Sequence, residues 1–213
     1  MKYKCIIFDC DGVLVDSEVI SSKIFMEMAE ELGFKMDIDF ATEKFSGSSM
    51  KENLKFIEDN IKGDLPSNFE KKFRKQTFEA FKTDIKPIEG IKDLLDKINI
   101  PICVASSGPM EKIKLNLTTT KLIDRFGKSI FSSYDIGSWK PEPGIFLYAA
   151  KEMGYKPSEC VVIEDSVAGI RAARVGGFEV FGYAKDTNKS AFEALGANIF
   201  FNMNELSSLL NLG

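Results

Sequence analysis

Residues 8–18, FDCDGVLVDSE, close the apolar run CIIF and carry two aspartates, Asp9 and Asp11, two positions apart. Side chains two apart on an extended chain point to the same side, so both carboxylates are expected to reach one site. If Lys4 to Phe8 is a strand of a parallel α/β sheet, that site lies beyond the strand's carboxyl end, where such sheets bind ligands. Asp11-Gly12 between two apolar runs is equally a hairpin signal with solvated acids at its tip. This stretch alone leaves both readings open.

Further short apolar runs supply the rest of a sheet. They are Ile102 to Ala105, Ile130 to Phe131, Cys160 to Ile163, Glu179 to Phe181 and Ile199 to Phe201. Helical stripes lie between them, such as Ile91, Leu94, Leu95 and Ile98, or Phe146, Ala149, Ala150 and Met153 ending at Gly154. This alternation is the rhythm of a parallel sheet with crossover helices. About 90 residues separate the first two strands, far more than the dozen or so a crossover needs. From Ser17 to about Lys86 the pattern is helical: Ile20, Ile24, Met28 and Leu32 form a ridge closed by Gly33. A second stretch runs near Asn53 to Ile61, and a third puts Phe69, Phe73, Ala80 and Phe81 on one face. The expected fold is therefore an α/β, Rossmann-like parallel sheet core (1–16 and 87–213) with an inserted helical cap (17–86), Pro87 marking the return. Such an insert is expected to act as a lid hinged near 15–17 and 85–88, shielding substrate from water.

The 213 residues are 44% hydrophobic and 28% charged, with a net charge of -4, an ordinary globular balance that offers nucleic acid or an anionic membrane no general attraction. The chain has no His, so its chemistry must rest on carboxylate, Lys, Ser, Tyr or Cys. Cys5, Cys10, Cys103 and Cys160 show no metal-binding spacing and read as buried thiols of a reducing compartment. No run approaches the roughly 18 apolar residues that span a membrane, and the N-terminal apolar run is too short for a signal peptide. A cytoplasmic, monomeric protein is expected.

Three more strand ends carry polar groups. Ser106, Ser107 and Gly108 follow ICVA, where small side chains and backbone N–H groups can hold phosphate oxygens. Lys140, in SWKPEPG, precedes a helix start, a placement the helix dipole disfavours. Glu164 and Asp165 follow CVVI, where acids could merely cap the helix behind them. Each alone has a bland explanation in a loop or a cap. Together, four strand ends supply what phosphoryl transfer needs: an attacking carboxylate, a proton donor, a cation against phosphate charge and carboxylates for Mg²⁺.

In that order, FDCDGVLVDSE, VASSG, WKPEPGIF and VIEDSVAGI resemble the four motifs of the haloacid dehalogenase-like hydrolases, in the branch with a helical cap between the first and second. The resemblance implies that Asp9 is the nucleophile, Asp11 the acid/base, and that Ser106, Ser107 and Lys140 bind phosphate. It also implies Mg²⁺ held by Asp9, the Asp11 carbonyl and Asp165, with Glu164 in or near the metal shell. Dehalogenases of the superfamily lack the second aspartate of the first motif, so Asp11 argues for phosphate esters. The stretches FSSYDIGSWKPEPGIF and VFGYAKDTNK look most like bacterial sugar-phosphate phosphatases of the 6-phosphogluconate phosphatase type. The partner implied is a small phosphorylated metabolite. Two alternatives are a phosphosugar mutase and a phospho-accepting signalling module. Mutase relatives carry a His and an Arg in the cap where this chain has Ser21 and Met50, and receivers lack both the insert and the paired aspartates. The run Lys71, Lys72, Arg74 and Lys75 reads mainly as a solvated helix face, the alternative being contact with an anionic part of the substrate.

Overall fold

The computed structural model describes residues 2–46 and 48–210. The chain opens with strand β1 (Cys5–Phe8) and the two-residue β2 (Val15–Asp16). Four helices follow: α1 (Glu18–Glu31), α2 (Ile38–Phe45), α3 (Met50–Asn60) and α4 (Phe69–Phe81). The short β3 (Lys86–Pro87) pairs with β2 in a separate two-stranded sheet. Next come α5 (Ile91–Lys97), β4 (Ile102–Ser106), α6 (Met110–Thr119), α7 (Ile123–Phe126), β5 (Ile130–Ser132), α8 (Ser133–Ile136) and α9 (Gly144–Glu152). The chain ends with β6 (Cys160–Glu164), α10 (Val167–Val175), β7 (Glu179–Tyr183), α11 (Lys189–Ala194), β8 (Asn198–Phe200) and α12 (Met203–Leu209). By internal packing it divides into one unit of residues 1–15 and 87–213 and another of 16–86.

The first unit is built on a six-stranded sheet of order β5-β4-β1-β6-β7-β8, parallel at every pairing. Because β1 is central and covered on both faces, its run CIIF is buried at all four positions, which is why it reads as unbroken apolar sequence rather than as alternation. Cys5 and Ile7 join Cys103, Ala105, Cys160, Val162, Phe146 and Phe178 in one core cluster, while Phe8 meets Phe126 edge-on with ring centroids 6.3 Å apart. The strand order reverses at β1, with β4 on one side and β6 on the other. That is the topological switch point at which open α/β sheets bind ligands.

The second unit packs its helices around Phe25, which stacks on Phe73 at 3.7 Å and leans on Phe45 at 4.8 Å between centroids. Ile24, Met28, Ile57 and Phe69 complete that cluster, and each such side chain stabilises the unit by about 1.5–3 kcal/mol on burial. Ser49 and Glu52 start α3 with a reciprocal capping box. Helix α2 has no counterpart in the sequence reading. Its N-cap is Asp37, whose carboxylate accepts from the Phe40 N–H at 2.8 Å, and only Ala41 and Phe45 of its eight residues are buried. Lys71, Lys72, Arg74 and Lys75 are all exposed on α4, and Arg74 pairs with Glu70, as a solvated face would have it. No helix among the described residues is long and apolar enough to cross a membrane.

Candidate active site

The carboxyl ends of the three central strands set the site. β1 ends at Phe8, level with Val104 of β4 and Ile163 of β6, and the Asp9 N–H continues the ladder by donating to the Ile163 carbonyl at 3.0 Å. Asp9 is thus backbone-anchored to β6 just past the end of β1, and Ser106 and Glu164 are the last residues of the strands on either side. After Asp9 the chain turns sharply: the Leu14 and Val15 N–H groups donate to the Cys10 carbonyl, and Gly12 N–H donates to the Val15 carbonyl. The turn signal in Asp11-Gly12 is therefore real, with Gly12 at φ 77°. Its acids are not a solvated tip, since Asp9 is 7% exposed and the Asp11 side chain, 27% exposed, is paired with Lys112.

Lys140 lies between two carboxylates. Its Nζ stands 2.5 Å from Asp9 Oδ1 and 2.6 Å from Glu164 Oε1, with all three side chains buried. Burial pushes the Asp9 carboxyl up to about 7, with Lys140 pulling it down and Glu164 and Asp11 pushing it further up. Burial works against the Lys140 ammonium, but the charges of Asp9 and Glu164 outweigh it and hold its pKa above the ordinary lysine value. The lysine stays cationic between the two carboxylates.

Glu164 spends its other oxygen on the start of α10. Oε2 accepts from the Asp165 N–H, the Ser166 N–H and the Ser166 hydroxyl at 2.8, 2.8 and 2.9 Å. Ser166 in turn accepts from Gly169 N–H as the helix N-cap. Position 169 must be glycine-sized, because a β-carbon there would overlap the Glu164 carboxylate. Glu164 therefore braces the turn that leads into α10 and holds its N-cap Ser166, and it also aims Lys140.

Ser106 is 1% exposed, and its Oγ accepts from Gly108 N–H at 3.1 Å. A hydroxyl that accepts there can donate its own proton elsewhere. Ser132, at the end of β5, steadies that loop by donating to the Gly108 carbonyl at 2.6 Å. Ser107 is half-buried in the same loop. Asp11 faces a different cation from Asp9: its Oδ2 stands 2.8 Å from Lys112 Nζ, and its Oδ1 accepts from Asn116 Nδ2 at 3.4 Å. Lys112 and Asn116 are absent from the sequence reading. The signal available there was a buried-stripe position filled by Asn, one turn after a Lys, directly behind the Ser106 loop.

Among the described residues no three acidic side chains stand gathered as a ready-made metal cage. The donor set implied by the motifs needs only two carboxylates, Asp9 and Asp165, and the Asp11 backbone carbonyl. Asp165 lies hard against the Asp11–Gly12 peptide, since a β-carbon on Gly12 would overlap its Oδ2. Hard oxygen donors, few in number, suit Mg²⁺, which keeps several of its waters. Asp9, Asp11, Glu164 and Asp165 also outnumber Lys112 and Lys140 by four carboxylates to two ammonium groups, an excess that a divalent cation offsets. The residues fit the metal.

This fold and strand-end set belong to a recognised class: the chain is a member of the haloacid dehalogenase-like hydrolases, whose sequence profile matches residues 3–177. It is a phosphatase of that family. It is 31% identical to the 6-phosphogluconate phosphatase of Escherichia coli (strain K12) over 98% of this chain and 95% of that protein. To the phosphorylated carbohydrates phosphatase of Thermotoga maritima it is 27% identical, over 90% of this chain and 91% of the relative. A crystal structure of a conserved haloacid dehalogenase-like protein of unknown function from Agrobacterium tumefaciens str. C58 superposes with a TM-score of 0.90 at 31% identity, covering 98% of both chains. All four free cysteines are buried, as the sequence suggested, and burial drives Cys10 well above the ordinary thiol range.

Proposed function

We propose that this phosphatase hydrolyses a small sugar-type phosphate monoester through an aspartyl-phosphate on Asp9, with Mg²⁺ held by Asp9, Asp165 and the Asp11 carbonyl. The observation that carries this reading is the buried Lys140 bridging Asp9 and Glu164 at the sheet's switch point. An Asp9 carboxylate oxygen attacks phosphorus, the bond from phosphorus to the sugar oxygen breaks, and Asp11 gives that oxygen its proton. Asp11 then takes a proton from water as the water attacks the phosphorus of the acyl phosphate. This releases inorganic phosphate and restores both carboxyl groups to their starting states. Lys140 and the Ser106 hydroxyl bind the phosphoryl oxygens, and Ser107 lines the same loop. Glu164 stays outside the metal's coordination, because Lys140, Ser166 and two backbone N–H groups already engage its oxygens. Mg²⁺, when bound, offsets phosphate charge and lowers the repulsion between it and the four carboxylates.

The sugar class is supported by the relatives named above, which act on 6-phosphogluconate and on phosphorylated carbohydrates. Release of inorganic phosphate from a panel of phosphorylated metabolites, with Mg²⁺ and then with excess EDTA, tests the proposal. Turnover of sugar phosphates that stops in EDTA and returns with Mg²⁺ is the expected result. Full turnover in EDTA would overturn the metal's role. Isomerised sugar phosphate without phosphate release would identify a mutase instead.

A further inference from the structure

Helix α6 presents a polar pair where its neighbours are core. Ile113 and Leu117 are buried apolar residues, and between them Asn116 is fully buried with its amide on Asp11. A buried amide destabilises unless its hydrogen bonds are made. Here Nδ2 is spent on the carboxylate while Oδ1 has no hydrogen-bond partner. Turning the amide over would set Oδ1 against a carboxylate oxygen, so the orientation is fixed by charge. Lys112, one turn earlier and therefore on the same helix face, supplies the second grip at 2.8 Å. Both donors reach Asp11 across the Gly108 loop, where a β-carbon would stand 3.8 Å from Asp11 Oδ2 and 3.5 Å from Ser106 Oγ. The grip thus lies beside the phosphate-binding hydroxyl.

We infer that Lys112, together with Asn116, is a positioning residue that fixes the Asp11 carboxyl group for proton exchange with the leaving oxygen. This rests on the acid/base role of Asp11 proposed above. The backbone of Asp11 is held by its bridge to Val15 and by the turn at Gly12, but that leaves the side-chain rotamer to be set by side-chain partners. A side chain free to change rotamer would spend much of its time away from the leaving oxygen. Two donors from one rigid helix face remove that freedom. The cost of losing orientation is about 10²-fold for a displacement near 1 Å.

Single-turnover phosphoenzyme formation by K112M, K112R, D11N and the K112M/D11N double variant tests the inference with a sugar phosphate and with p-nitrophenyl phosphate. A sugar alkoxide needs a proton to leave and p-nitrophenolate does not. K112M is expected to slow the sugar phosphate by about 10- to 10²-fold while leaving p-nitrophenyl phosphate nearly unchanged, which also shows that the variant is folded. K112R, which keeps a charged donor, should recover part of the loss. In the D11N background K112M should add nothing, because it acts through Asp11. Equal losses on both substrates, a further loss in the D11N background, or no recovery by K112R would overturn the inference. The acid/base reading fails separately: D11N itself would then slow both substrates alike.

Discussion

The two units of this chain use charge in opposite ways. In the helical unit, ion pairs such as Lys55–Asp59 and Glu79–Lys82 lie in solvent, their side chains 45–71% exposed, around a phenylalanine core that does the stabilising. In the sheet unit, the side chains of Lys140, Asp9 and Glu164 are 6, 10 and 1% exposed, the two acids at the ends of β1 and β6 and the lysine in the loop between α8 and α9. Solvated pairs contribute about 0–1 kcal/mol. Buried ones cost desolvation that an apolar substitute would avoid, so a chain that keeps three buried charges in contact is holding them for chemistry. The contrast teaches where to look for function: in the charges that folding alone does not favour.

Two lysine substitutions can break that contrast. Lys140→Met leaves Asp9 and Glu164 facing each other without a cation. It is expected to lower stability by about 3–5 kcal/mol, measured by urea unfolding, and to abolish most turnover. Lys55→Met on α3 is expected to change stability by less than about 0.5 kcal/mol and to leave turnover alone. Were the two to cost the same, burial would not be what distinguishes the two units.

Much of this was legible in the sequence, for a physical reason. Strands buried on both faces read as short unbroken apolar runs, so CIIF, ICVA and CVVI stand out, and the polar residue behind each marks a strand end. The long helical gap between the first two strands exposed the insert. Helix α2 escaped because two buried residues in eight make no stripe, and its N-cap hydrogen bond is a local event that Asp37 announces only weakly. Lys112 and Asn116 escaped because their partner, Asp11, lies 101 and 105 residues away along the chain. Contacts of that kind are made by the sheet, which brings β1 and β4 side by side. The contact of Glu164 with Lys140 was hidden likewise: the sequence offered Glu164 as a helix cap or as a neighbour of the metal, and its carboxylate instead braces the turn into α10 with one oxygen and meets the lysine with the other.

The central claim is that phosphate passes through a covalent bond to Asp9, and trapping that bond tests it most directly. With Asp11→Asn the water of the second step lacks its base, so an aspartyl-phosphate loaded from p-nitrophenyl phosphate and Mg²⁺ should persist. Acid quench followed by peptide mass analysis is expected to find a near-stoichiometric phosphoryl group on Asp9, absent when Asp9→Asn is added. A phosphoryl group on another residue, or turnover by Asp9→Asn at the parent's rate, would contradict the account.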